Sequence, residues 1–184
     1  MSERPWQEAR RQAERFVERL QALGRGELAV LRRSAGERLA TARNALGLFY
    51  RLLPPEPQFP EETFFLVATL FPLNGHKPVD GDFGRTMAVL RQRTNREGLD
   101  SRMRILLEAD YDRRRGTGEL PYRLRQAVKL AASQQVGVDW VQLLLDLNWW
   151  GHPDRIVQKR WARSYFHGDA ASQEPQAVAA EGGQ

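Results

Sequence analysis

Residues Phe64 to Phe71 read FFLVATLF, an unbroken apolar run with no charged side chain to turn toward water. A helix that is apolar on every side is buried on most faces, so this run predicts the centre of a core. Glu61 and Glu62 stand just before it, where acids favour the first turn of a helix through its macrodipole. The preceding PPEPQFP, Pro54 to Pro60, is a stiff extended connector that stops one helix and leads into the next. Eight apolar residues fall far short of the roughly 18 that a membrane-spanning helix needs. The rest of the chain must therefore wrap this element.

Working outward, apolar residues recur at three- and four-residue intervals in every long segment, the period of an amphipathic helix. Pro5 opens the first, whose stripe runs Trp6, Ala9, Ala13, Phe16, Val17, Leu20 and Leu23 before Gly24. Its other faces pair Glu8 with Arg11, Glu14 with Arg10 and Glu18 with Arg15, as a solvated surface does. Leu28 and Leu31 define a short second helix ending at Arg32 and Arg33. Ala42, Ala45, Leu46, Phe49, Leu52 and Leu53 define a third.

After FFLVATLF, the stretch NGHKPVDGD (Asn74 to Asp82) is a loop, followed by a helix from about Phe83. Ser101 is placed to cap a helix through Ile105, Leu106 and Leu107, with Arg102 and Arg104 off the apolar stripe. Beyond a charged loop, Asp110 to Gly118, a helix carries Leu120, Leu124, Val128 and Ala131, with Arg123, Arg125 and Lys129 on other faces. Asp139 caps WVQLLLDLNWW, and Asp154 is placed to cap a last helix through Trp161, Tyr165 and Phe166. No alternating β-branched run occurs. The predicted fold is all-α, about eight or nine helices in two packed lobes with no sheet. A boundary near Thr94 to Asp100 divides an N-terminal lobe, 1–97, from a C-terminal lobe, 98–168, and a polar tail, 169–184, is expected to be disordered.

Charge is distributed unevenly. The net charge is +5, and all but three of the 28 basic residues are arginine, the exceptions being Lys77, Lys129 and Lys159. Residues 1–51 carry a net +5, 52–100 a net −2 and 101–168 a net +5, while 169–184 hold three acids and no base. Two basic patches follow. Arginine is a planar, weakly hydrated fork suited to phosphate, so the blocks fit nucleic-acid backbone, although coding bias or heat adaptation also enriches arginine. Neighbouring residues on a helix diverge by about 100°, so Arg32 and Arg33 cannot share one buried partner. The bland reading for that pair is charge compensation at a helix C-terminus.

Chemistry-bearing motifs are missing. The chain has no cysteine, and His76, His152 and His167 lack metal-ligand spacing. There is no phosphate-binding glycine loop, dinucleotide fingerprint or nucleophile elbow, so neither catalysis nor a cofactor is expected. Glu108, Asp110 and Asp112 could suggest a cation site, but Arg113, Arg114 and Arg115 follow directly and are expected to compensate them. Among the tryptophans, Trp140, Trp150 and Trp161 lie on apolar stripes and read as core, whereas Trp149 lies off its stripe and is a candidate for stacking on bases. No N-terminal apolar leader is present, so the expected location is the cytoplasm.

Several blocks together resemble a known family. They are GELAVLRR (Gly26 to Arg33), FYRLL (Phe49 to Leu53), Phe83-Gly84-Arg85, Arg104 to Leu107 followed by Ala109-Asp110, Leu124-Arg125, Asp139-Trp140, NWWG (Asn148 to Gly151) and WARSYF (Trp161 to Phe166). In this order, across residues 6 to 167, they are similar to the small subunit (CasB type) of the subtype I-E CRISPR Cascade surveillance complex. Between Leu52 and Asp82 no block resembles the family closely. The resemblance implies a two-lobed, non-catalytic helical protein present as two copies among other Cascade subunits. It also implies a basic path for crRNA and target DNA that stabilises the R-loop. By position it points to Arg32, Arg33, Arg51, Arg85, Arg104 and Arg125, to which helix-face geometry adds Arg102, Arg123 and Lys129. The competing reading from another class is a helical protein-interaction scaffold whose arginines are solvated or paired.

Overall fold

The computed structural model describes residues 3–94 and 98–168, with side chains from Pro5 onward. Nine α-helices occur among the described residues: α1 Glu3–Gln21, α2 Arg25–Arg33, α3 Leu46–Leu52, α4 Glu61–Leu70, α5 Phe83–Thr94, α6 Leu99–Glu108, α7 Leu120–Ser133, α8 Trp140–Asn148 and α9 Ile156–His167. Single 3-10 turns occupy Leu39–Thr41 and Phe71–Leu73. Two isolated bridges, Pro78 with Gly137 and Asp112 with Thr117, are the only β pairings among these residues. The all-α expectation holds. The expected tail and residues 95–97 of the expected boundary lie outside the described residues.

Helix α4 is the pillar. Every residue from Thr63 to Leu70 is buried. Phe64 meets Phe16 of α1 edge-on, with ring centroids 4.8 Å apart, and Phe65 meets Phe49 of α3 in the same way at 5.2 Å. Helices α2, α7 and α8 pack on its remaining sides. Phe59 from the proline-rich connector reaches Phe64. The connector is fastened to α1 by Gln12, which donates to the Glu56 carbonyl at 2.9 Å and accepts from the Gln58 N–H at 2.7 Å. Each fully buried Phe or Leu of this kind contributes about 2 kcal/mol.

A second concentration of large side chains joins α5 and α9, the most closely packed helix pair. Trp161 stacks obliquely on Phe83 and on Trp150. Gly84 makes that approach possible, because a Cβ there would lie 2.1 Å from the Trp161 carbonyl oxygen. One connected cluster of buried side chains runs from Ala9 on α1 to Tyr165 on α9. A buried carboxylate ties it together: Asp146 accepts from Trp161 Nε1 at 2.6 Å, from Gln142 Nε2 at 2.7 Å and from Arg160. Arg160 also faces Asp82, whose other oxygen caps α5 through the Arg85 N–H.

Helix ends differ from the sequence reading in three places. Ser101 does not cap α6. That helix starts two residues earlier at Leu99, whose side chain is drawn into the core, and Gly98 sits at the cap with φ +90°. Asp154 does not cap α9. Arg155 occupies the N-cap position in a left-handed conformation without a side-chain cap hydrogen bond, and its guanidinium donates instead to the Leu107 carbonyl at 2.8 Å and to Glu108 at 2.9 Å. Trp6 heads the α1 stripe but lies beyond the core edge and is exposed. On α1 the Glu8–Arg11 and Arg10–Glu14 pairs form, while Arg15 turns to Glu8 rather than Glu18. Asp139 caps α8 as expected, accepting from the Gln142 N–H at 2.9 Å.

These contacts rank two substitutions. Asp146→Ala strands the Trp161 N–H and the Arg160 charge and is expected to cost about 3 kcal/mol or more. Asp139→Ala loses one half-buried cap hydrogen bond and is expected to cost about 1 kcal/mol. Urea denaturation reads both, and equal losses would contradict the network's role.

The Tyr165 hydroxyl donates to Asp100 at 2.7 Å, and Arg91 lies 4.6 Å over the Tyr165 ring. The Tyr165 hydrogen bond, with Arg91 adding to it, holds the Asp100 carboxyl below its ordinary 3.8. Its contribution is therefore full above pH 3.8 and is lost as pH falls through the lowered value. Asp100→Asn is expected to weaken the acid dependence of stability below that pH in a urea series across pH.

Candidate nucleic-acid interface

The nine basic residues singled out by sequence occupy four places. Arg32 and Arg33 end α2 and are exposed; Arg33 Nε donates to the Ala29 carbonyl at 3.2 Å, and Arg32 has no side-chain partner among the described residues. The chain then turns at Gly36, where φ is +83° and a Cβ would meet Arg125 Cδ at 3.2 Å. That contact lays the Arg125 stem against the turn three residues beyond Arg33. Arg125 and exposed Lys129 stand one helical turn apart on α7. The end of α2 and this flank of α7 therefore form one basic surface.

The other flank of α7 faces α6 across a cleft of about 210 Å³. Met87, Leu106 and Leu130 supply its apolar lining, and Arg102, Arg123, Tyr122 and Gln126 are its polar and aromatic members. Arg123 reaches Glu119 at 3.6 Å, and its guanidinium carbon lies 5.7 Å from the Tyr122 ring centroid. The Nε atoms of Arg123 and Arg125 are both buried without a hydrogen-bond partner. These two arginines therefore pack through their stems as well as carrying charge, and they are less free than their position off the apolar stripe suggests. Arg104 is exposed on α6 and contributes to the field at Asp100.

Arg51 and Arg85 lie apart from this surface. Arg51 is exposed on α3 but paired with Glu27, which also accepts from the Gly24 N–H at 3.1 Å. The Gly24 N–H and then Arg51 hold the Glu27 carboxyl below the ordinary carboxylate range. Arg85 is half-buried, donates to the Gly168 carbonyl at 3.0 Å, and lines a separate cleft with Trp6, Asp82, Arg160, Arg163 and His167. Arg163 and His167 were missed by sequence reading. Their signal in the sequence is the four-residue spacing that puts both on one face of α9.

Of the tryptophans, Trp140, Trp150 and Trp161 are buried and Trp149 is 43% exposed, as their stripe positions indicate. Trp149 lines a cleft with Asp110, Asp112, Arg113 and Arg114. The three carboxylates here are compensated differently from the sequence expectation. Glu108 pairs with Arg155, Asp110 accepts from the Glu119 N–H at 2.8 Å, and only Asp112 pairs within the loop, with Arg115 at 3.6 Å. The sequence could not show Arg155 arriving from the start of α9. Arg113 instead crosses to the Asn148 side chain at 2.6 Å. Among the described residues no group of three or more His, Cys, Asp or Glu side chains is placed to hold a metal ion, and no helix is long and apolar enough to cross a membrane.

What this arrangement offers chemically is cationic surface on rigid helices, with an aromatic and apolar cleft between two of them. A CRISPR-associated protein Cse2 of Thermus thermophilus is 38% identical over 115 residues, and the match spans 61% of this chain and 61% of that relative's length. The crystal structure of M. ruber CasB is 27% identical, with a TM-score of 0.69 over 88% of this chain and 95% of that one. The crystal structure of a Cse2-family CRISPR-associated protein from Thermus thermophilus is 30% identical, with a TM-score of 0.68 over 86% and 97%. A chain of a CRISPR RNA-guided surveillance complex shares the fold at 21% identity, with a TM-score of 0.72 over 89% and 96%. The model of the family described as CRISPR-associated protein Cse2 matches residues 27–166, running through the middle stretch where no separate block stood out, and the chain belongs to that family.

Proposed function

We propose that this chain is a non-catalytic small subunit of a type I-E Cascade ribonucleoprotein in the cytoplasm. It sits there as two copies among the other Cascade subunits and holds crRNA and target-DNA strands by their phosphates. Membership of the Cse2 family carries the reading, and the fold shared with a chain of an RNA-guided surveillance complex supports it. The electrostatics give it a mechanism. Arg32, Arg102 and Lys129 are exposed with no ion-pair partner among the described residues, and Arg33, Arg104 and Arg125 stand on the same three helices. A charge on a fixed helix meets a phosphate without the cost of ordering a loop first.

Guide and target pairing reads sequence in such an assembly, whereas protein charge holds the opened strands against re-pairing. Backbone contacts position nucleic acid without distinguishing bases. Each contact releases condensed counterions, which makes binding fall steeply with salt. Arg51 and Arg85, already engaged by Glu27 and the Gly168 carbonyl, contribute less than the α2, α6 and α7 cations. The chain supplies no catalytic group to this task.

Replacing Arg32 and Arg33 together by alanine, or Arg102 with Lys129, is expected to weaken target-DNA capture by reconstituted complex similarly for unrelated targets. Each pair should lower the salt slope by about two units if each cation meets one phosphate. Stability should change by about 0.5 kcal/mol or less per exposed residue, checked by thermal melting of the free variants. Unchanged capture and an unchanged salt slope for both pairs would assign these arginines to solvated surface or to a protein partner.

A further inference from the structure

Four clefts combine arginine with an exposed aromatic ring, and the carboxylates beside them set one apart. Trp149 shares its cleft with Asp110 and Asp112, Trp6 shares its own with Asp80 and Asp82, and Tyr50 shares its own with Glu61 and Glu62. Acids in those linings repel phosphate. The α6–α7 cleft has none in its lining, which instead holds Arg102 and Arg123. Glu119, one turn ahead of Arg123 on the same helix, is paired with it.

The shape and lining of that cleft specify a ligand. Its volume of about 210 Å³ is well beyond the roughly 30 Å³ share of one water, and the floor is apolar, formed by Met87 and Leu106, each 1% exposed. The Tyr122 ring, 56% exposed, presents a stacking face, and Ile105 opposite on α6 is 43% exposed. Nothing in the core accounts for leaving these two side chains in water beside a cleft. Gln126 brings an amide donor and acceptor, and the buried Arg123 Nε–H is a donor with no acceptor. Flat, π-faced, edged with donors and acceptors and flanked by anions describes a nucleotide in a single strand.

We propose that the α6–α7 cleft receives one unpaired nucleobase, stacked on Tyr122, from a strand whose flanking phosphates meet Arg102 and Arg123. This rests on the phosphate-binding reading above and adds to it. A base paired and stacked in a duplex has neither its edge nor its faces to give, so the cleft would make this subunit prefer single strand over duplex, without a base code.

The test uses the full-length protein and fluorescence anisotropy at low salt. The probes are an oligodeoxythymidine of about 15 nucleotides and an abasic phosphodiester backbone of the same length and charge. Oligodeoxythymidine should bind about tenfold more tightly than the abasic strand. Tyr122→Ala should erase most of that ratio while melting like the parent, and Tyr122→Phe should keep it. Equal affinity for the two strands, both with steep salt dependence, would overturn base insertion and leave phosphate binding standing. Absence of binding to either strand would overturn both. A ratio unchanged in Tyr122→Ala would place the bases elsewhere and overturn the assignment. So would a Tyr122→Ala protein that binds oligonucleotide normally but fails to assemble with other subunits, which would give the cleft to a protein partner.

Discussion

The burial of α4 on all its faces is the constraint from which the remaining architecture follows. A helix whose residues from Thr63 to Leu70 are all buried can only be satisfied if neighbours surround it, and α1, α2, α3, α7 and α8 do so. Those neighbours are amphipathic, so burying their apolar stripes against α4 leaves their charged faces outward. The basic surface at the end of α2 and along α7 is therefore a geometric consequence of how the pillar is covered. Arginine placed on such faces costs the core nothing.

The same logic sorts the arginines into two kinds. Arg160 and Arg155 are structural: one neutralises buried Asp146, and the other fastens the start of α9 to the end of α6. Arg113 joins its loop to α8 through Asn148. Against this internal set stand Arg32, Arg102 and Lys129, exposed and without a counter-ion among the described residues. Arg123 and Arg125 are intermediate, with buried Nε atoms, the Arg123 guanidinium near the Tyr122 ring and the Arg125 stem against the Gly36 turn. A basic composition thus resolves into side chains that hold helices together and side chains left exposed without a counter-ion among the described residues.

Helix number and order were legible because period and punctuation agree, as in the apolar run of α4, the prolines before it and the Asp139 cap. Caps were less legible where tertiary packing overrode local preference. Leu99 drew the start of α6 ahead of Ser101, and Arg155, through a contact 47 residues away in sequence with Glu108, took the N-cap position that Asp154 was expected to hold. Off-stripe position correctly located the exposed Arg102, Lys129 and Trp149. It could not reveal that Arg51 meets Glu27, that Arg85 meets Gly168, or that Tyr122 and Arg102 share a cleft. Those facts depend on which helices become neighbours.

The central claim is that nucleic acid lies on the face built from the end of α2, α6 and α7. Photo-crosslinking of assembled complex on target DNA, followed by mass spectrometry of this subunit, addresses it most directly. The account predicts nucleotide adducts on peptides carrying Arg32 to Arg33, Arg102 to Arg104 and Tyr122 to Lys129. Adducts confined to α1, α3 and the Trp149 cleft, with the α2, α6 and α7 peptides unmodified, would contradict it.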